Sequence, residues 1–256
     1  MKIAQPEKAH GGKVDDVSVS LGRREQAKTE RRSRIVTAAH NLISESGIDA
    51  MSMKRVAERA EVSLSTVYNL FDSKEAMLAL VFNGVFDEYR RVVIVRGSDD
   101  PLQMFFDAVD IAAEFYISDV PFYKSLVWMV GLNSSLKLEI RQPRHQFYCD
   151  LVEDAIGRGL LKPTADARII GMTIVPLYSF AYQMWAAEAI SIDEFCIRAK
   201  FGMLVVLKAF IVPEALARVD AHIHALEAWM QAQFTMGRKR GGLSKRLRSD
   251  TVTAVN

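Results

Sequence analysis

Residues 63–71 read SLSTVYNLF, a stretch with three aliphatic hydroxyls, one phenol and one amide but no charge. Such groups donate and accept hydrogen bonds as neutral species, and phosphate oxygens take bonds from hydroxyls, phenols and backbone N–H groups alike. The cations stand to either side. Lys74 follows at once, and Arg23, Arg24, Lys28, Arg31, Arg32 and Arg34 cluster some forty residues earlier. The neutral donors and the cations are thus set apart along the chain. Other chemistry is missing. The five histidines are scattered, and His222 and His224 lie about 200° apart on a helix, so they do not converge on a metal. There is no glycine-rich phosphate loop, Gly-x-Ser-x-Gly elbow or Cys-x-x-Cys. The expectation is a protein that is not an enzyme and that uses no metal or cofactor.

The composition sets the frame. Of 256 residues half are hydrophobic and a quarter charged, and the net charge is +2, so any attraction for a polyanion must be local. Two cysteines, Cys149 and Cys196, are too few for a disulfide framework and suit a reducing, cytoplasmic setting. Residues 1–22 show no apolar run or cleavage signal and read as a disordered lead-in. One run, Ile169–Ala187, is uncharged over nineteen residues and long enough to raise a membrane span. Pro176, Gln183 and the want of a second such segment favour a helix buried between other helices or between subunits. No membrane is expected as a partner.

The elements that position these residues are helical throughout. Ile35, Ala38, Ala39, Leu42 and Ile43 form one stripe of a helix over 25–46, ended by Gly47. Ser52 caps a second helix that buries Met53, Val56, Ala57 and Ala60. After AEVS, Ser63 caps a short third helix, and Asp72 or Ser73 caps a longer one reaching about Arg96. Gly97 to Pro101 breaks the chain. Further helices are expected near 101–118, 121–133, 137–158, 164–188, 192–212 and 214–235, with a capping box at Ser191 and Glu194. The basic run from Gly237 reads as a disordered tail. The expected class is all-α: a disordered 1–22, a three-helix unit at 23–72, a connecting helix at 73–96, a larger helical domain at 97–236 and a tail at 237–256.

Three helices with a four-residue turn before the third have a helix-turn-helix layout. The segment RIVTAAHNLISESGIDAMSMKRVAERAEVSLSTVYNLFDSKEAML resembles the N-terminal domain of TetR-family transcriptional regulators, matching at Gly47, Ser52, Ala60, Val62, Ser63, Thr66, Val67, Tyr68, Phe71, Lys74 and Glu75 among others. The resemblance implies a double-stranded DNA operator as partner, with the third helix in the major groove. It assigns Thr66 and Tyr68 to backbone or base contacts and Lys74 to a phosphate. Ser52 and Ser63 cap the two helices, and the Ser52 terminus favours an anion. Ser65 and Asn69 are the candidates for base edges, and Leu64 could meet a thymine methyl group. Arg31 and Arg32, with the cations around them, resemble an arm that follows the backbone or enters the minor groove. Two positions depart from the family: Glu61 stands where glycine is common, and Leu70 where histidine, tyrosine or arginine is common.

The same resemblance implies a homodimer on a palindromic operator, most simply a repressor, with 164–188 and 192–212 as the dimer surface. It also implies a small-molecule effector. Aromatic density makes that effector lipophilic or aromatic, with Phe115, Tyr116, Phe122, Trp128, Phe147, Tyr178, Tyr182 and Trp185 as candidate lining and Gln183 and Arg141 as polar handles. The alternatives are a helical small-molecule-binding protein or enzyme using a large-domain cavity, and a transcriptional activator of the same family.

Overall fold

The computed structural model describes residues 14–132 and 134–252, with side chains described for 25–127 and 142–233. Ten helices make up the described chain: α1 (Val14–Ser46), α2 (Met53–Arg59), α3 (Leu64–Leu70), α4 (Lys74–Arg96), α5 (Pro101–Ser118), α6 (Val120–Leu132), α7 (Ser134–Gly157), α8 (Ala167–Ala186), α9 (Ile192–Lys208) and α10 (Pro213–Val252). The one pairing of extended backbone among the described residues is an isolated antiparallel bridge between Leu161 and Ile211. The all-α expectation therefore holds.

Two compact units divide the chain, Met1–Val81 and Phe82–Asn256. The boundary falls inside α4, which is one continuous helix, so the expected connector at 73–96 shares its residues between the units rather than standing apart from both. Both end segments also differ from expectation. Helix α1 starts at Val14, within the stretch read as disordered, and α10 runs to Val252, through the stretch read as a tail. Residues 25–34 are fully on the surface, so no buried stripe announces a helix there. Residues 23–34 hold no proline and are mostly Arg, Glu, Gln, Ala and Lys, all good helix formers.

In the first unit the stripe on α1 is buried as expected, with Ile35, Ala39 and Ile43 inaccessible to solvent. They pack with Met51, Val56, Ala57, Val67 and Phe71 into one small core. Gly47 takes φ 77, a left-handed conformation that glycine adopts freely, and lets the chain leave α1 sharply.

In the second unit α8 packs against α7 and α9, and α9 against α5 and α10. Gly171 on α8 faces Cys149 on α7, and a Cβ there would sit 2.8 Å from the Cys149 sulfur, so any larger residue would force that side chain to shift. Asp100 caps α5 by accepting a bond from the Gln103 N–H at 2.8 Å, and Pro101 follows at the first helical position. Ser191 caps α9 through the Glu194 N–H at 3.1 Å, as the capping-box spacing predicts. Among the described residues no helix is long and apolar enough to cross a membrane. The uncharged run at 169–187 instead buries Ile170, Ile174, Val175, Tyr178, Ala181, Tyr182 and Trp185 on one face of α8.

Candidate nucleic-acid interface and apolar cleft

Helices α2 and α3 each begin on a serine. The Ser52 Oγ accepts from the Arg55 N–H at 3.3 Å, and the Ser63 Oγ from the Thr66 N–H at 3.1 Å. Ser63 is further tied to the hydroxyls of Ser65 at 2.9 Å and Thr66 at 2.8 Å. The hydroxyl-rich start of α3 is therefore a local network that fixes the helix end as well as a row of surface donors. Ser73, one of the two residues left open, caps α4 by accepting from the Ala76 N–H at 3.0 Å.

The turn between α2 and α3 closes in a Schellman pattern. The Val62 N–H bonds to the Ala57 carbonyl at 3.0 Å and the Glu61 N–H to the Glu58 carbonyl at 3.2 Å. Glu61 occupies the position where such a turn calls for glycine, and its φ is 53. The chain accepts left-handed backbone at a residue with a Cβ.

Val67 and Phe71 anchor α3 in the core, and this leaves the rest of a very short helix outside. Leu64 is 41 % exposed and Tyr68 53 % exposed. Ser65 and Asn69 are exposed beside them, and Thr66 is half-buried. On a helical wheel Leu64, Tyr68, Ser65 and Asn69 span one continuous arc. Neither the Tyr68 hydroxyl nor the Asn69 amide has a hydrogen-bond partner among the described residues. Ser52 is exposed, Lys74 is half-buried at the start of α4, and Arg31 and Arg32 are exposed on α1. The Arg32 guanidinium lies 5.2 Å from the centre of the Phe71 ring, which holds it at the edge of α3. Arg31 and Arg32 both lie on α1, within the helix expected over 25–46. The side chains of Arg23 and Arg24 lie outside the description.

A second concave feature lies wholly in the second unit. It is a cleft of about 480 Å³, counting its open mouth, between α4, α5, α6, α7 and α8. Four expected residues line it: Phe115, Tyr116, Phe122 and Tyr178. Phe147, Tyr182 and Trp185 do not. Phe147 packs edge-on to Phe86 and Tyr89, while Tyr182 and Trp185 back Tyr116 at ring distances of 4.7 and 5.3 Å. They are the layer behind the wall. The side chains of Trp128 and Arg141 lie outside the description, and Gln183 is exposed on the far face of α8. Tyr123 and Tyr148, part of the aromatic density noted in the sequence, line it too, while sequence reading missed Phe82, Phe86, Tyr89 and Arg144. The α4 residues Phe82, Phe86 and Tyr89 were detectable as an i, i+4, i+7 aromatic stripe in a helix read only as a connector.

Burial raises the pKa of the cleft's phenols, Tyr148 and Tyr178 among them, so they stay neutral. Most are already engaged. The Tyr116 and Tyr178 hydroxyls lie 2.6 Å apart, and the Tyr89 hydroxyl donates to the Ala108 carbonyl at 2.9 Å.

The fold and the exposed third helix define a helix-turn-helix protein. Residues 35–81 match the family described as bacterial regulatory proteins, tetR family, so this segment of the chain carries a TetR-type N-terminal domain. It is 39 % identical over 75 residues to the HTH-type transcriptional repressor KstR of Rhodococcus jostii, a match covering 29 % of this chain and 34 % of that one. The chain thus spans about a third of the length of that relative. It is also 27 % identical over 139 residues to the HTH-type regulator YdeS of Bacillus subtilis, covering 53 % of this chain and 69 % of that one. Among solved structures it resembles FadR of Thermus thermophilus in complex with lauroyl-CoA, with a TM-score of 0.58 and 18 % identity over 71 % of this chain and 95 % of that one. FadR of Bacillus subtilis in complex with stearoyl-CoA has a TM-score of 0.56 and 15 % identity over 68 % and 97 %. At these identities the structures speak for the fold.

Proposed function

We propose that this protein is a homodimeric, DNA-binding transcriptional repressor that reads a palindromic operator and is modulated by a lipophilic or aromatic small molecule. The observation that carries the DNA reading is the surface of α3. A helix anchored by Val67 and by Phe71 just past its end presents Leu64, Ser65, Tyr68 and Asn69 outward, with Lys74 and Arg32 flanking them. Neutral donors on the reading helix suffice because the phosphates are held by the flanking cations and by backbone N–H groups. Asn69 and Ser65 are assigned to base edges, Tyr68 and Thr66 to backbone or base, and Lys74, Arg31 and Arg32 to phosphates. Ser52 and Ser63 fix the helix ends.

The dimer reading is supported by the outer face of α8. Ile169, Met172 and Phe180 are 62 to 64 % exposed, and Leu177 and, on α9, Val205 stand near them in exposure. An apolar face of this kind gains about 25 cal/mol for each Å² that a second copy covers. A two-fold pair would carry two copies of α3 to half-sites about 34 Å apart. The effector reading rests on the cleft, and an acyl chain or a flat ring meets its demand equally. A ligand that favours one arrangement of the paired reading helices shifts the population toward or away from the DNA-competent form. Helix α4 runs unbroken from the first unit into the cleft wall and is the natural lever.

Selection of bound sequences from random duplex DNA tests this reading. The expected product is one palindromic motif. Tyr68→Ala should weaken binding to it by about tenfold while leaving the thermal midpoint unchanged, because the side chain is half outside the fold. Recovery of no enriched sequence would remove the proposal.

A further inference from the structure

The cleft is apolar except at one point. Its described lining is aromatic or aliphatic apart from Arg144 on α7, and no carboxylate is among those described residues. The Arg144 guanidinium lies 5.5 Å from the centre of the Phe86 ring and has no ion-pair or hydrogen-bond partner among the described residues. This stands out because the other arginines of the second unit near an acid are used: Arg96 pairs with Glu114, Arg198 with Glu194 and Arg218 with Asp100. A guanidinium carries five N–H donors, and half-buried donors facing an aromatic wall are costly to leave without partners. One further donor is open. The Tyr123 hydroxyl has no partner among the described residues, although its own carbonyl receives the Tyr182 hydroxyl. Tyr116 and Tyr178 satisfy each other, Tyr89 is committed to Ala108, and the Tyr148 phenol interacts with Tyr89, so the unspent hydrogen-bonding capacity of the described lining gathers at Arg144 and Tyr123.

We infer that the cleft takes a hydrophobic carboxylic acid, its carboxylate held by the Arg144 guanidinium with Tyr123 as a second donor and its body against the Phe82, Phe122 and Tyr116 rings. This rests on the effector reading above and narrows it from any lipophilic molecule to an anionic one. A carboxylate accepts two parallel N–H bonds from a guanidinium, which supplies charge and direction together. The apolar body contributes area but little orientation, so the acid group decides which end enters. The electrostatics agree: the positive charge of Arg144 bears on Tyr116, Tyr123, Tyr148 and Tyr182, opposing the rise that burial imposes on each. The same field favours a ligand anion.

The test uses matched pairs on the full-length chain: 2-naphthylacetate against 2-naphthylacetamide, and dodecanoate against dodecanol. Trp185 stacks on the cleft residue Tyr116, so tryptophan emission reports occupancy. At neutral pH each acid should bind at least about tenfold tighter than its neutral twin. In Arg144→Met that gap should close to about twofold, and Arg144→Lys should restore part of it. Far-ultraviolet dichroism checks that the variants remain helical. Equal binding of acid and twin by the wild-type chain would overturn the carboxylate inference and leave the apolar cleft standing, and this comparison needs no variant. A gap that survives Arg144→Met would overturn the role of Arg144 and with it the inference. Failure of all four probes to bind would sink the effector cleft itself.

Discussion

At the scale of the residue, Glu61 is the informative departure. Its φ of 53 and the two hydrogen bonds closing the turn show that the backbone takes the glycine geometry without glycine. Left-handed backbone costs a residue with a Cβ about 1 kcal/mol relative to glycine. The carboxylate also stands one helix turn before the donors of α3. Two substitutions separate these effects. Glu61→Gly should raise the stability of the chain by about 1 kcal/mol and raise its thermal midpoint. Glu61→Gln should leave the midpoint where it is, yet tighten DNA binding, because it removes charge and keeps the strain. Thermal unfolding and operator titration read the two separately. A stable, unchanged midpoint in Glu61→Gly would mean that the turn holds no strain.

At the scale of the element, helix starts carry much of the order. Asp100 serves α5 twice, as the cap that accepts from the Gln103 N–H and as the partner of the Arg218 guanidinium on α10. The Arg218 hydrogen bond is the leading reason its carboxyl is held at about 2, below the ordinary 3.8. The sign follows from linkage. A depressed carboxylate contributes stability that is complete above about pH 4 and is lost as pH falls through about 2. Both side chains are more than a third exposed, Arg218 at 46 % and Asp100 at 38 %, so solvent screening reduces the contribution to about 1 kcal/mol. Asp100→Asn keeps an oxygen for the cap and loses the ion pair. Urea midpoints should fall below wild type at pH 6 and converge with it near pH 2. A gap independent of pH would assign the loss to the cap alone.

At the scale of the whole molecule, the second unit leaves one apolar face uncovered. Phe180 on α8 is 64 % exposed and makes no contribution to the monomer's own core. Phe180→Lys should therefore leave helicity intact, shift sedimentation from dimer to monomer, and weaken operator binding by more than about tenfold through loss of the paired half-site. A dimer that persists in the variant would place the two-fold contact elsewhere.

Local pattern sufficed wherever one segment's own periodicity or cap decides the outcome. The stripe on α1, the serine caps at 52, 63 and 191, the turn before α3 and most of the helix bounds in the second unit were all legible in the chain. So were the exposed candidates on α3, because a seven-residue helix with two anchors can hide little else. The helical ends of α1 and α10 escaped because neither shows an apolar stripe to read. The cleft escaped for another reason. Which aromatic side chain lines a cavity and which backs it depends on the rotation of five helices about their axes, and an i, i+4 pattern says only that a residue faces inward. Arg144 is the sharpest case: in the sequence it is one of three cations on α7, and only its place over the Phe86 ring and in the cleft lining makes it the sole described charge in an apolar wall.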